Sequence, residues 1–564
     1  MSERENLGAD LRLGRYASAV EARLAKWQSE GFGRKMWEKD HTAWSPRGPL
    51  PELTDRLGWL TLPESMPADV DALTAFAGEA RREGLRDTVV LGMGGSSLAP
   101  EVYALTFGPA PGFPSLSVLD STHPDAVRAL ARRLDLARSL FLVSSKSGGT
   151  TETLSFFRIF WDLVGKVAAE PGRHFVAVTD PGSSLEKLAR ERGFRAVFSG
   201  PPDVGGRYSA LTNFGLVPAA LLGVDIRRLL ASGRAMAEAC AGSVPAAENP
   251  GLRLGAALGE LALAGRDKVT FFTSPAVESF PDWIEQLVAE STGKESLKGD
   301  GSHAGIVPVV GERPGPPSAY GEDRFFVALL LGDEHAGMEE KLTDLEAAGH
   351  PVARIRLSDP YDLGREMFRW EMATAAAGAV LEVNPFDQPD VQLAKELATQ
   401  AMKESAAGGG TAAGNSVRAE EPGTAGPAVA GWLAGARPGD YLGVHAYLAP
   451  GPRTTELLRA IQNLLHEKTR LATTLGYGPR FLHSTGQLHK GGPATGRFLQ
   501  LVDQPAEDLA VPEADYTFGR LIRSQADGDR KALEQRGRKV LRLDLGAESD
   551  YTLHRLLQDL GTAI

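Results

Sequence analysis

The sequence predicts an α/β fold: two doubly wound parallel-sheet units, each layered α/β/α, followed by a further C-terminal α/β segment. Three observations predict it. Short, nearly continuous apolar runs at 88–93 (TVVLGM), 116–120 (LSVLD), 140–145 (LFLVSS) and 175–180 (FVAVTD) are each followed by a helix-like stretch, the pattern of parallel strands buried on both faces. A second set of such runs lies at 268–274, 325–332 and 352–358. Glycine is abundant, at 64 residues, while aromatics make up 7% of the chain, a balance suited to many strand-to-helix turns. The length of 564 residues, at roughly 150 per domain, allows three or four domains.

Residues 1–60 are expected to form a helix and a Trp-rich arm. Val20, Leu24 and Trp27 fall at helical spacing, and Trp37, Trp44 and Trp59 punctuate a stretch suited to anchoring on a neighbouring surface. The first parallel unit takes 61–245 and the second 246–404. Residues 405–431 are rich in Gly, Ala and Pro with few large apolar side chains, so burial there cannot offset ordering entropy and a mobile linker is expected. Residues 432–564 return to strands and helices: YLGVHAYL, a long helix over 454–474, a helix at 518–535, and KVLRLDL, whose strands could extend an earlier sheet.

A formal charge of −11, from 61 Lys+Arg against 72 Asp+Glu, argues against wholesale nucleic-acid binding, which needs a basic surface. The single Cys240 rules out an internal disulfide framework or a multi-cysteine zinc site. The longest apolar run, 325–331, is far short of the ~18 residues of a membrane span, and no apolar leader opens the chain. A cytoplasmic protein with neither nucleic-acid nor membrane partner is expected.

Two loops are candidate anion sites. The strand at 88–93 runs into Gly92-Met93-Gly94-Gly95-Ser96-Ser97 ahead of a helix, which offers backbone N–H groups and a dipole to a phosphate. Gly94, Gly95 and Ser96 are candidate contacts, the alternative being a tight turn with no ligand. A third glycine of a dinucleotide fingerprint and a P-loop Gly-Lys-Ser/Thr are both missing. The strand at 140–145 ends in Ser144-Ser145-Lys146-Ser147-Gly148-Gly149-Thr150-Thr151-Glu152-Thr153. Hydroxyls, a lysine and glycines thus gather where open α/β sheets place ligands. Ser145, Lys146, Ser147 and Thr150 are the candidate contacts to a phosphate monoester.

The pair GMGGSS (92–97) and SKSGGTTET (145–153) resembles the sugar-isomerase (SIS) domain. The stretches VGGRYS (204–209), WIEQLVAESTGK (283–294) and FDQPDV (386–391) with Lys395 resemble, in order, the successive signatures of the phosphoglucose isomerase family. The likeness runs over about 30–400. The arm and the LHSTGQLHKGG block resemble most the isomerase half of fused transaldolase/glucose-6-phosphate isomerases, with no room here for the transaldolase half. The resemblance implies SIS-type units, a sugar phosphate substrate and glucose-6-phosphate isomerase activity in glycolysis and gluconeogenesis. No cofactor and no metal are expected.

Moving a proton between C2 and C1 of a sugar phosphate needs a carboxylate that can abstract and redeliver it. The resemblance assigns this to Glu290, and assigns Arg207 to the charge of the enediolate. Gln388 and Lys395 would contact substrate oxygens and assist ring opening. The ring-opening histidine departs from the pattern. Better-known members carry it in a Gly-Gln-His context some tens of residues after the catalytic Glu, and this chain has no histidine between His303 and His335. Those two read as loop residues. Gly486-Gln487-Leu488-His489, with His483 upstream, resembles the missing context, so the C-terminal segment is expected to fold back, or reach across a homodimer, to supply His489 or His483. A metal site at these two lacks further ligands. The alternatives are a phosphosugar-binding SIS regulator without turnover and an isomerase acting also on mannose 6-phosphate.

Overall fold

The computed structural model describes residues 7–332, 335–406 and 416–564. Strand β1 (Asp10–Arg12) and helix α1 (Ala17–Glu30) open it. The first parallel sheet follows as β2 (Asp87–Gly92), β3 (Ser115–Leu119), β4 (Ser139–Ser144), β5 (Phe175–Thr179) and β6 (Ala196–Ser199), in the order β3-β2-β4-β5-β6. The chain therefore leaves β2 to one side for β3 and returns to its other side for β4. That reversal, between the ends of β2 and β4, is where the open sheet leaves a crevice. Helices α2 (Leu98–Phe107) and α3 (Thr151–Gly165) start at the two ends, so both glycine-rich loops meet there.

The second sheet carries β7 (Lys268–Thr273), β10 (Val307–Val309), β11 (Arg324–Leu331) and β12 (Val352–Leu357) in parallel, in the order β1-β12-β11-β7-β10. Between β7 and β10 lie α4 (Phe280–Thr292) and the antiparallel pair β8 (Lys294–Glu295) and β9 (His303–Ala304). The arm contributes β1 as an antiparallel edge to this sheet. Trp27, Trp44 and Trp59 are all buried in the main core, and Trp59 stacks on Tyr208 at 5.5 Å. Helix α5 (Leu363–Val380) is buried along nearly its whole length, and α6 (Val391–Ala406) follows it.

The C-terminal strands do not extend an earlier sheet. They form a third: β13 (Ser416–Arg418), β14 (Tyr441–Tyr447), β15 (Ala472–Tyr477), β16 (Gly496–Val502) and β17 (Lys539–Asp544), all parallel, in the order β13-β17-β16-β14-β15. The long helix expected over 454–474 ends sooner, as α7 (Pro452–Thr469), because Arg470 adopts left-handed φ +61° and Ala472–Tyr477 becomes β15. Helix α8 (Gly486–Gly491) and α9 (Phe518–Gln535) complete the unit. Within 405–431, Ser416–Arg418 pairs with β17 and Ala425–Leu433 is helical, packed through Val429 and Trp432. Small residues there suit close packing on the last helix, Ser549–Ala563, rather than a loose tether. Residues 407–415 of that stretch lie outside the described ones.

Candidate active site

A cavity of about 210 Å³ opens between the first sheet and the C-terminal unit. Ser147, Gly149 and Thr150 of the β4–α3 loop and Thr151 and Glu152 of the first turn of α3 form one wall; His483 and Gln525 face them from the third unit. The loop is braced from within. Ser145 Oγ lies 2.9 Å from Thr150 Oγ1 and accepts Gly148 N–H at 3.1 Å. Ser145 thus shapes the turn, leaving Ser147 and Thr150 on the cavity. The Lys146 side chain turns away, donating to Asp180 Oδ2 at 2.7 Å and to Pro201 O at 3.1 Å. Burial lowers its pKa, against the Asp180 carboxylate that raises it. The expected cationic contact at this loop is therefore already paired.

Gly94 and Gly95 hold the site together by close backbone approach. A Cβ at Gly94, whose φ is +56°, would stand 2.4 Å from His483 O, and one at Gly95 would stand 2.0 Å from Gly206 O. Only glycine fits. Gly94, Gly95 and Ser96 are not among the residues that line this cavity; they seat the segments that carry His483 and Arg207.

Arg207 is 2% exposed and fully engaged. Nε donates to Ser291 Oγ at 2.7 Å, Nη1 to Gln388 Oε1 at 2.9 Å and Nη2 to Pro385 O at 2.8 Å, while Nη1 lies 3.4 Å from Glu290 Oε1. Glu290 sits in the last turn of α4, a helix buried on most sides by Trp283, Ile284, Leu287 and Val288, so its direction is set by packing. Gln286, one turn earlier, donates from Nε2 to Glu290 Oε2 at 3.1 Å and to His483 O at 2.8 Å. One amide thus joins the carboxylate to the histidine segment.

His483 Nε2 lies 3.0 Å from Glu152 Oε1, and Gln525 Nε2 donates to the same oxygen at 2.7 Å. An ionised carboxylate only accepts, so Nε2 donates and Nδ1 is left to exchange a proton. Gln525 is itself held by Thr122, whose Oγ1 donates to Oε1 at 2.7 Å.

His489 is not brought to this cavity. Three residues into α8 its ring turns the other way, into the C-terminal core, 4.7 Å from His445 and 5.0 Å from Phe498, where burial drives its pKa well below 6.5. Its neighbour Gln487 has a different task, donating to Gly293 O at 3.0 Å and Asp390 Oδ2 at 2.8 Å. The Gly-Gln-Leu-His block therefore clasps the end of α4 to the start of α6. Lys395 lies within α6, its side chain outside the described residues. His303 stands on β9 and His335 is buried just before the helix Ala336–Ala347.

Glu152, Gln286 and Gln525 were not singled out in the sequence. Glu152 and Gln286 lie inside motifs quoted above, and what distinguishes them is burial, at 7% and 3% exposure. Lys294 is a further one. Its Nζ donates to Asn384 O at 2.6 Å and to Asp387 Oδ1 at 2.7 Å, pinning the turn that carries Gln388. Burial pushes this lysine down to about 8 from 10.5. Between pH 8 and 10.5 the folded chain has released a proton that the unfolded chain keeps, so through this group stability rises with pH across that window. Urea denaturation from pH 8 to 10 is expected to show a less positive slope of stability against pH in Lys294→Met than in wild type.

The fold is that of the SIS and phosphoglucose isomerase type. The phosphoglucose isomerase family model matches residues 71–308. A glucose-6-phosphate isomerase of Rubrobacter xylanophilus is 31% identical over 389 residues, covering 61% of this chain and 89% of that protein. One of Thermus thermophilus is 32% identical over 383 residues, covering 60% and 89%. Among solved structures, a glucose-6-phosphate isomerase from Chlamydia trachomatis superposes with a TM-score of 0.60 at 20% identity, over 72% of this chain and 92% of that one. The chain belongs to the phosphoglucose isomerase family.

Proposed function

We propose that the protein is a glucose-6-phosphate isomerase, interconverting D-glucose 6-phosphate and D-fructose 6-phosphate. The observation that carries this is the two pairs joined by Gln286: buried Glu290 against buried Arg207, and half-buried His483 against Glu152. A sensor of phosphosugars needs the loop but has no use for a fixed carboxylate–guanidinium pair beside it.

The phosphate is held by the hydroxyls of Ser147, Thr150 and Thr151 and by the N–H groups opening α3, whose dipole favours the charge. The described residues that line this cavity include no lysine or arginine. His483, its Nε2 fixed by Glu152, exchanges a proton with the ring oxygen through Nδ1. Glu290 then takes the proton from C2 of the open aldose and returns it to C1. Charge growing on the enediolate oxygen is stabilised by Arg207, already desolvated and fixed by its hydrogen bonds. Gln388 and Lys395 contribute substrate contacts, and the third unit supplies His483 within one chain. The division at 61–245 and 246–404, and a relation to the isomerase half of the fused transaldolase enzymes, belong to the same proposal.

A coupled assay of fructose 6-phosphate to glucose 6-phosphate tests it, with turnover expected to be unchanged by EDTA. No turnover on either sugar phosphate would overturn it. His483→Ala is expected to lower kcat on the cyclic substrate about 10²-fold, the low end for a general acid–base group, because sugar rings also open unaided. Near-wild-type turnover in that variant would remove His483 from the mechanism.

A further inference from the structure

The third sheet repeats the topology that builds the first cavity. The chain leaves β14 to one side for β15 and returns to its other side for β16, so a second crevice is expected outside the ends of β14 and β16. A cavity of about 270 Å³ lies there, lined by Tyr447 and Asp503 at the two strand ends, by Arg542 and Asp544 of β17, and by Arg523 and Asp527 of α9.

Its charges are unevenly spent. Asp503 Oδ1 lies 3.0 Å from His123 Nε2, and Asp544 Oδ1 accepts Gly546 N–H at 3.0 Å. Arg542 is 9% exposed; its Nε donates to Gln500 Oε1 at 2.6 Å and its Nη1 to Asp527, while its buried Nη2 has no hydrogen-bond partner. Arg523 is exposed and has no ion pair or hydrogen bond to a side chain among the described residues. Two guanidinium groups, the exposed Arg523 of α9 and the nearly buried Arg542 of β17, therefore keep unpartnered donors beside the cavity, and guanidinium is the group that matches phosphate geometry. The carboxylates beside them retain acceptor sites suited to hydroxyls.

We propose that this crevice is a second binding site, for a small phosphorylated polyol, separate from the cavity at Ser147 and Glu152. The two share one helix. Gly519, Ile522, Arg523, Ala526 and Asp527 of α9 face the second cavity, while Leu521, Ser524 and Gln525 face the first. Gln525 is the donor to Glu152, so on the proposed function a ligand on Arg523 bears on the helix that positions the histidine's partner.

Isothermal titration of glycerol 3-phosphate into wild type, Arg523→Glu and the Ser147→Ala/Thr150→Ala double variant tests this without relying on turnover. Two sites per chain are expected in wild type, one in the double variant, and in Arg523→Glu one site of wild-type affinity with binding at the second at least tenfold weaker. Arg523 is exposed, so its replacement leaves the fold intact, which circular dichroism confirms. Inorganic phosphate, titrated into the double variant, is expected to bind more weakly than glycerol 3-phosphate; equal affinity would overturn the polyol part. A single site in wild type that the double variant abolishes, or two sites unchanged in Arg523→Glu, would overturn the proposal.

Discussion

Glu290→Gln is expected to cut kcat on the order of 10³-fold while leaving sugar phosphate binding nearly unchanged. Glutamine keeps the size of the side chain and an oxygen for Gln286 Nε2 at the Oε2 position, 3.1 Å away, so the buried end of α4 keeps its packing. What it cannot do is take a proton from carbon. General bases supply roughly 10²- to 10⁴-fold, and here the same group must both abstract and redeliver, so the upper half of that range applies. The check is twofold: the coupled assay, and exchange of the C2 proton of glucose 6-phosphate into deuterated water followed by NMR. Both are expected to fail together. If exchange stopped while isomerisation continued within tenfold of wild type, Glu290 would not be the base. His483→Ala separates from this on the same measurement. Ring opening precedes proton abstraction, so an open-chain substrate analogue is expected to restore turnover in His483→Ala and not in Glu290→Gln.

Much of this was legible in the residues, and the reasons for the rest are physical. Runs such as 140–145 and 175–180 are apolar throughout because both faces of a parallel strand are buried, and they became β4 and β5. The strand at 196–199 lacks that signature because AVFS sits at the sheet edge and is only partly buried. The strand at 472–477 was hidden by the helical pattern running into it, which a single left-handed residue, Arg470, interrupts. The site divided in the same way. Glu290 and Arg207 are marked by motifs, and the structure puts them 3.4 Å apart. The histidines could not be separated by motif, since His483 and His489 share one block, and only the turn of α8 sends one towards Glu152 and the other into the C-terminal core. That Lys146 pairs with Asp180, one strand away, is likewise nothing the sequence could show.

The largest stability effect is expected at the junction of the second and third sheets. Arg324, at the start of β11, and Glu312, just after β10, are both fully buried. Nη1 donates to Glu312 Oε2 at 2.9 Å and to Thr270 Oγ1 at 2.7 Å, and Nη2 donates to Glu312 Oε1 at 3.1 Å. Glu312 Oε1 also accepts Thr473 N–H of β15 at 2.8 Å, so the pair fastens the C-terminal unit to the second sheet. Arg324→Met leaves a carboxylate buried without its cation, which costs about 3–5 kcal/mol. Adding Glu312→Gln removes that charge while keeping an oxygen for Thr473, and because a buried ion pair contributes little over a neutral replacement of similar volume, most of the loss is expected to return. Urea denaturation of the two variants measures both steps, and hydrogen exchange at Thr473 reports whether the junction has loosened. A single variant within about 1 kcal/mol of wild type, or a double variant no more stable than the single, would show that the cation is not what the junction needs. Because β15 leads directly into the segment that carries His483, the single variant is also expected to lose turnover on the cyclic substrate, and the double variant to regain it together with the protection at Thr473.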